Sequence, residues 1–167
     1  MQQRSHRVLL IFQLAGRLAA FPVEDVERIV PMAELVCPPG LPSALEGILN
    51  LAGAAIPVLR LDRLFGLAAQ QVGLYSMLIV LRAHRETRMA VLADRVHEIA
   101  SAPRSAFLPV SHEDSLNACA EAAVAAGDQV VPLLSPARIL LAKEREALSE
   151  FEAMARQRLE NWEAREA

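Results

Sequence analysis

The stretch spanning residues 47–67, GILNLAGAAIPVLRLDRLFGL, restricts the fold more than any other part of the chain. Two short apolar runs, residues 48–51 and 54–61, are separated by Ala52-Gly53. Glycine at the second turn position accepts the positive φ of a tight hairpin, so the stretch is predicted as strand, turn, strand. Pro57 falls inside the second run and has no N–H to give to a ladder. That strand is therefore predicted at a sheet edge or with a bulge. Residues 61–65 offer a single helical turn that Gly66 can end. The stretch contains no His, Cys, Ser or Thr, and its one acid is Asp62. It is suited to packing and to presenting a surface, not to covalent chemistry.

A chain of 167 residues that is 53% hydrophobic but only 4% aromatic must build its core from aliphatic side chains. That length suits one domain, or two small lobes sharing a core, and needs no covalent staples. The formal charge of -3 argues against a nucleic-acid binder, which would carry a basic face. Cys37 and Cys119 are too few for a disulfide framework and lack metal-ligand spacing, as expected in a reducing cytoplasm. Both are expected as buried hydrophobes. No apolar run approaches the length of a membrane span, so no membrane insertion is expected. The polar residues 1–7 lead straight into a strand-like run without the features of a signal peptide.

From the N-terminus, residues 8–14 and 17–23 flank Ala15-Gly16 and read as a first hairpin. Val26, Ile29 and Val30 recur at helical spacing between Glu24 and Pro31, which predicts a short amphipathic helix stopped by proline. Pro38, Pro39, Gly40 and Pro42 mark a rigid loop. Ser43 with Glu46 matches a capping box, predicting one helical turn before the central hairpin. Residues 67–73 are a connector, MLIVL (77–81) is a strand, 82–88 a turn, and 89–93 the returning arm. A further strand is expected around Val96 to Ala100, then a loop at 103–109. Residues 118–126 have the alanine content of a helix. Gly127-Asp128 before residues 130–134 nevertheless resembles a hairpin turn, and both readings stand at this level.

From Ala137 the pattern is helical for up to roughly thirty residues, on the order of 40 Å. Leu141, Leu148, Phe151, Ala155, Leu159 and Trp162 share one face. Either the first half of this helix packs on the barrel and the rest frays, or the stripe binds a partner or a second copy. Phe151, Leu159 and Trp162 are its candidate contact residues.

Catalytic constellations are missing from the sequence. None of His6, His84, His97 and His112 lies within three or four residues of another His or a Cys, so no metal site announces itself. Motifs for phosphate, dinucleotide or nucleophile-elbow chemistry do not occur, and no cofactor is expected. Asp62 and Asp94 read as turn-stabilising acids. His112 before Glu113-Asp114 is the one faint echo of a phosphoacceptor.

Laid out in this way, the chain resembles the CheW family, the coupling proteins of bacterial chemosensory arrays. The resemblance runs over residues 8–141, with 142–167 as a C-terminal amphipathic extension. Its strongest part is Gly47-Ile48-Leu49-Asn50-Leu51 with Gly53, then Ile56-Pro57-Val58, Leu61 and Phe65-Gly66. Supporting pieces are Phe12-Gln13-Leu14, Phe21-Pro22-Val23, Leu92-Ala93-Asp94 with Val96 and Ile99, and Gly127-Asp128 before Val130-Val131-Pro132-Leu133-Leu134.

The resemblance implies a mainly β fold: two small five-stranded SH3-like barrels interleaved along the chain, an apolar seam between them, and short connecting helices. It favours strand for the alanine-rich segment. It also implies a non-enzymatic adaptor that binds the regulatory domain of a CheA-type histidine kinase and the cytoplasmic tip of a chemoreceptor. Such an adaptor is cytoplasmic and recruited to membrane-associated receptor arrays. Partner contacts are then expected at Val26, Arg28, Asn50, Leu51, Ala52, Gly53, Ile56, Pro57 and Val58. Two positions depart from the family pattern, Ala52 where arginine is usual and Arg28 where glutamate is usual. They direct attention to a specialised system other than flagellar chemotaxis. The alternative is a small-molecule-sensing barrel using a cleft between the lobes, for which an aliphatic lining would serve.

Overall fold

The first strand, β1 (His6–Leu14), carries apolar side chains on both faces, so it must lie between two cores. In the computed structural model, which describes residues 6–69, 71–84, 86–112 and 115–166, it does so. Leu9 and Ile11 enter one apolar cluster and Leu10, Phe12 and Leu14 another. β2 (Arg17–Pro22) returns antiparallel through Ala15-Gly16, whose φ values of 49° and 76° are those of a type I′ hairpin turn. A 3-10 turn at Val23–Asp25 then carries the chain into a second sheet.

That sheet contains β3 (Val26–Pro31), β4 (Leu45–Leu51), β5 (Ala54–Leu59), β6 (Met77–His84) and β7 (Thr87–Ala93), in the order β3-β6-β7-β5-β4. The short α1 (Leu61–Leu64) follows β5. The chain re-enters the first lobe as β8 (Arg95–Pro103), β9 (Phe107–Leu108), β10 (Ala120–Ala126) and β11 (Gln129–Leu134), giving the order β8-β1-β2-β11-β10-β9. The lobes are thus interleaved, the second being inserted into the first. The second has the five strands expected. The first has six, because two residues of the 103–109 loop pair with β10 at Ala123 and Val124.

Asp94 secures the return crossing. Its N–H donates to the Gln13 carbonyl at 2.9 Å, and its carboxylate accepts from the Gly16 N–H at 3.4 Å. The acid therefore has the turn-stabilising role expected of it.

Three apolar clusters hold the lobes. Leu9, Ile11, Val124, Val131 and Leu133 fill the first; Leu49, Ile56, Val58, Leu78, Val80 and Leu92 fill the second. The largest is the seam, where Leu10, Phe12 and Phe21 meet Leu59, Leu61, Ile79, Leu81 and Val91. Phe12 and Phe21 stack with centroids 5.2 Å apart. This explains MLIVL: Leu78 and Val80 face the lobe interior, Ile79 and Leu81 the seam. Alternate residues of a strand point to opposite faces, so burial on both sides demands a continuous apolar run. The last helix, α2 (Pro136–Glu166), adds Ile139, Leu140 and Ala142 to the seam.

Several local expectations are corrected. The predicted helix at 24–31 is strand β3, paired with β6 through Arg28↔Val80, Ile29↔Ile79 and Val30↔Leu78. Spacings of three and four in so short a run do not separate helix from strand, and pairing with β6 satisfies the backbone better than one isolated turn. The Ser43–Glu46 pattern makes no helical capping box. Ser43 and Ala44 form a turn, and Glu46 is already in β4. The 82–88 turn is tighter than expected, since β6 runs to His84 and β7 begins at Thr87. The alanine-rich segment is strand β10, as the family resemblance implied. Pairing with β11 and burial of Ala120 and Val124 outweigh alanine's helix propensity, which is worth only a few tenths of a kcal/mol per residue.

Pro57 also departs from expectation. β5 is an interior strand, between β4 and β7. Ile48, opposite Pro57, exchanges both of its backbone hydrogen bonds with Val36 at 2.8 and 2.9 Å. The Ile48–Pro57 pair is therefore a non-hydrogen-bonded one, and the Pro57 nitrogen points away from β4. On its other side the registered pairing with β7 starts only at Val58. The proline thus occupies a place on the strand where no donor is needed.

Gly47 is required for a different reason. A Cβ there would come within 2.7 Å of the Leu35 Cβ and 3.1 Å of the Val36 carbonyl oxygen. Gly47→Ala is expected to cost about 1–3 kcal/mol through displacement of the Val36 bridge. The midpoint of urea denaturation, with its slope unchanged, is the measurement.

Candidate functional site

The β4–β5 hairpin ends in a rigid tip. Ala52 and Gly53 have φ of 51° and 85°, again a type I′ turn, and the Asn50 side-chain oxygen accepts the Gly53 N–H at 3.0 Å. Asn50, Ala52 and Gly53 are exposed, while Leu51 and Pro57 are half-buried. A left-handed conformation at a non-glycine residue is uncommon, and here the Asn50 bond helps to hold it.

Ile56 and Val58 are at 0% exposure, inside the second lobe's core. Their placement among partner contacts is corrected accordingly. Side chains without accessible surface hold the strand and cannot touch a partner. Val26 and Arg28 lie on β3, half-buried and exposed respectively. Arg28 and Ala52, the two positions that depart from the family pattern, are carried by different elements, β3 and the β4–β5 tip. Next to Arg28, Glu27 accepts from Arg88 Nη2 at 2.7 and 2.9 Å.

Beneath the hairpin is a charged network not anticipated from the sequence. Arg60 is buried, and its Nε and Nη2 donate to the two carboxylate oxygens of Asp62 at 2.9 and 2.6 Å. Arg60 Nη1 also reaches Glu46 at 3.4 Å. The hydrogen bonds from Arg60 to Asp62 outweigh the cost of burial and raise the Arg60 pKa above its ordinary value, so the guanidinium is charged at every accessible pH. Arg63 joins Glu46 at 3.0 Å and the carbonyls of Ser43 and Leu45 at 3.1 and 3.4 Å. Asp62 is thereby assigned to a structural ion pair. The available signal was Arg60 itself, a charge between Leu59 and Leu61 in an otherwise apolar run.

From Ser43 the network continues to the last helix, with the Ser43 N–H and Oγ both donating to the Glu150 carboxylate. Helix α2 rests on the body through Ile139, Ala142, Glu146 and Glu150. Glu146 has its pKa raised, first by burial and then by the nearby Glu150 charge. The expected apolar stripe does not make this contact. Phe151, Leu159 and Trp162 are 64%, 66% and 66% exposed.

The cysteines divide. Cys119 is buried in the seam, and desolvation pushes its thiol up to about 12. Cys37 is exposed, contrary to the expectation for it, because residues 32–44 run over the surface outside any strand, and its Sγ donates to the Glu46 carbonyl at 3.3 Å. A thiol reagent at neutral pH is expected to titrate one cysteine per native chain and two after denaturation. Two fast native thiols would contradict the burial of Cys119.

Among the described residues no group of three metal-ligating side chains occurs. His97 Nε2 lies 3.4 Å from the Gln13 side-chain oxygen, and Glu113 and Asp114, which follow His112, lie outside the described residues. The described side chains fill the seam between the lobes, where the alternative reading placed a small-molecule cleft. An open cavity of about 810 Å³ lies instead in the first lobe, against Gln13, Leu18, His97, Val110 and Val130. No helix among the described residues is long and apolar enough to cross a membrane.

Known proteins share this arrangement. The family model of the CheW-like domain matches residues 8–144. Chemotaxis protein CheW of Thermotoga maritima is 26% identical over 88 residues, a match that spans 53% of this chain and only 57% of the relative. The crystal structure of the scaffolding protein TtCheW from Thermoanaerobacter tengcongensis superposes with a TM-score of 0.73 at 23% identity, covering 81% of this chain and 88% of that one. That likeness identifies the fold, two SH3-like β lobes. With the family model matched across both lobes and into the last helix, the chain belongs to the CheW-like domain family.

Proposed function

We propose that this protein is a non-enzymatic scaffold that couples a chemoreceptor to a CheA-type histidine kinase in a bacterial chemosensory array. The observation that carries the reading is the β4–β5 tip, whose exposed Asn50, Ala52 and Gly53 stand in the stretch that carries the strongest sequence resemblance to the family, within the 8–144 match. Exposed residues on two different elements, β3 and the β4–β5 tip, support two docking surfaces, one for the kinase regulatory domain and one for the receptor tip. Val26 and Arg28 belong to β3; Asn50, Leu51, Ala52, Gly53 and Pro57 belong to the hairpin. Such contacts are of transient-signalling size, with an apolar centre and a polar rim. The protein then works in the cytoplasm, recruited to membrane-bound receptor arrays, and Ala52 and Arg28 together favour a specialised system over flagellar chemotaxis.

The test is capture of the cognate kinase regulatory domain and of the receptor tip from the same genome. Failure to bind any kinase or receptor encoded there overturns the proposal. Ala52→Arg is expected to leave the melting temperature unchanged, because both residues meet the same left-handed backbone. It is expected to change affinity for one of the two partners by about tenfold, since arginine is a frequent interface anchor. Unchanged affinity for both would assign the hairpin a structural role only.

A further inference from the structure

Helix α2 has two faces with different tasks. Ile139, Ala142, Glu146 and Glu150 seat it on the body, while Leu148, Phe151, Ala155, Leu159 and Trp162 project on the opposite side, roughly half a turn away. The apolar stripe is therefore unused by the chain's own fold. Leu148, Phe151, Leu159 and Trp162 all exceed 55% exposure.

The stripe has an internal symmetry. From Leu148 to Trp162 its residues are separated by steps of 3, 4, 4 and 3, the same in either direction, with the small Ala155 in the middle and two large side chains on each side; Leu141, 43% exposed on the same face, lies outside this repeat. Leu148 to Leu159 and Phe151 to Trp162 are each eleven residues, a repeat that stays nearly aligned with a straight helix. An isologous two-fold contact requires such self-complementarity. Laid antiparallel about Ala155, two copies place Leu148 against Trp162 and Phe151 against Leu159. The alanines permit close approach at the axis. Among the flanking charges, Glu152 comes beside Arg156 of the second copy. Because the seated face looks the other way, the two bodies lie outward on opposite sides of the helix pair.

We infer that α2 is an antiparallel self-association helix whose occupant is a second copy of this chain. This goes beyond coupling a receptor to a kinase, because a two-fold scaffold would join two such units. The reading does not depend on either partner.

Sedimentation velocity on the full chain tests it. The mass is expected to rise from one chain to two with concentration. Ala155→Glu is expected to abolish the rise while leaving the melting temperature and helical circular dichroism unchanged. Glu152→Arg should weaken association about tenfold, and Glu152→Arg with Arg156→Glu should restore it. A chain that stays at monomer mass up to about 1 mM overturns the inference. So does a dimer that survives Ala155→Glu, or a double charge swap no tighter than the single one, which would point to another surface or to a parallel arrangement. A stripe that binds only a helix of another protein would appear as the monomer outcome.

Discussion

Asp62→Ala is expected to destabilise the protein by about 3–5 kcal/mol, because it breaks a buried ion pair. Its loss leaves the buried Arg60 guanidinium with Glu46, 3.4 Å away, as its remaining carboxylate in this network. Arg60 cannot escape the cost by losing its proton, because its pKa stands above an already high ordinary value. Nor can it swing outward without vacating a site between Leu59 and Leu61, both at 0% exposure. Chemical denaturation should show the lower midpoint with an unchanged slope. Replacing both partners, Arg60→Met with Asp62→Leu, should recover most of the loss, since removing a buried pair whole avoids the unpaired charge. A loss below about 1 kcal/mol in Asp62→Ala would mean that Arg60 is balanced without Asp62.

The second large effect is expected from shortening the last helix. A chain ending at Ser135 lacks Ile139, Leu140 and Ala142, all buried in the seam. Each large aliphatic residue removed from a core costs about 2–5 kcal/mol, and a whole domain has only about 5–15 kcal/mol of stability. This truncation should abolish cooperative thermal unfolding. A chain ending at Glu150 keeps those residues and the Ser43–Glu150 contact, so its melting temperature should lie within a few degrees of the full chain. Cooperative melting of the 1–135 chain at the full-length temperature would show that α2 is not part of the fold. On the expected outcomes the helix would divide near Glu150.

The hairpins were legible because their information is local. Ala15-Gly16, Ala52-Gly53 and Gly127-Asp128 each sit between apolar runs, and Gly16, Gly53 and Gly127 all have positive φ. The single turn at α1, ended by Gly66 at φ 66°, was legible for the same reason. Residues 24–31 were not, since a six-residue run with mixed spacing takes its state from β6, fifty residues later. The Ser43–Glu46 pattern failed similarly. Both residues found partners far along the chain, Glu150 for the serine and Arg60 and Arg63 for the glutamate.

Of the candidate contact residues, exposure separated Asn50, Ala52, Gly53 and Arg28 from the buried Ile56 and Val58. Sequence could not make that distinction, because β5 reads alike whether it is an edge or an interior strand. The shared face of Leu141, Leu148, Phe151, Ala155, Leu159 and Trp162 was legible from helical spacing alone. Which face meets the body was not, since Leu141, Leu148 and Phe151 looked equally able to pack inward.

By itself, the sequence determined an aliphatic β-rich chain with three glycine-bearing hairpin turns, no catalytic constellation, a long terminal helix and the family resemblance. Tertiary structure alone decided the interior position of the Pro57 strand, the burial of Arg60 with Asp62, and the outward direction of the α2 stripe. The reason is range: turn and helix signals lie within a few residues, whereas strand neighbours, burial and ion pairs join residues 46 to 60 and 43 to 150. Long-range pairing is settled only when the lobes close on their shared seam.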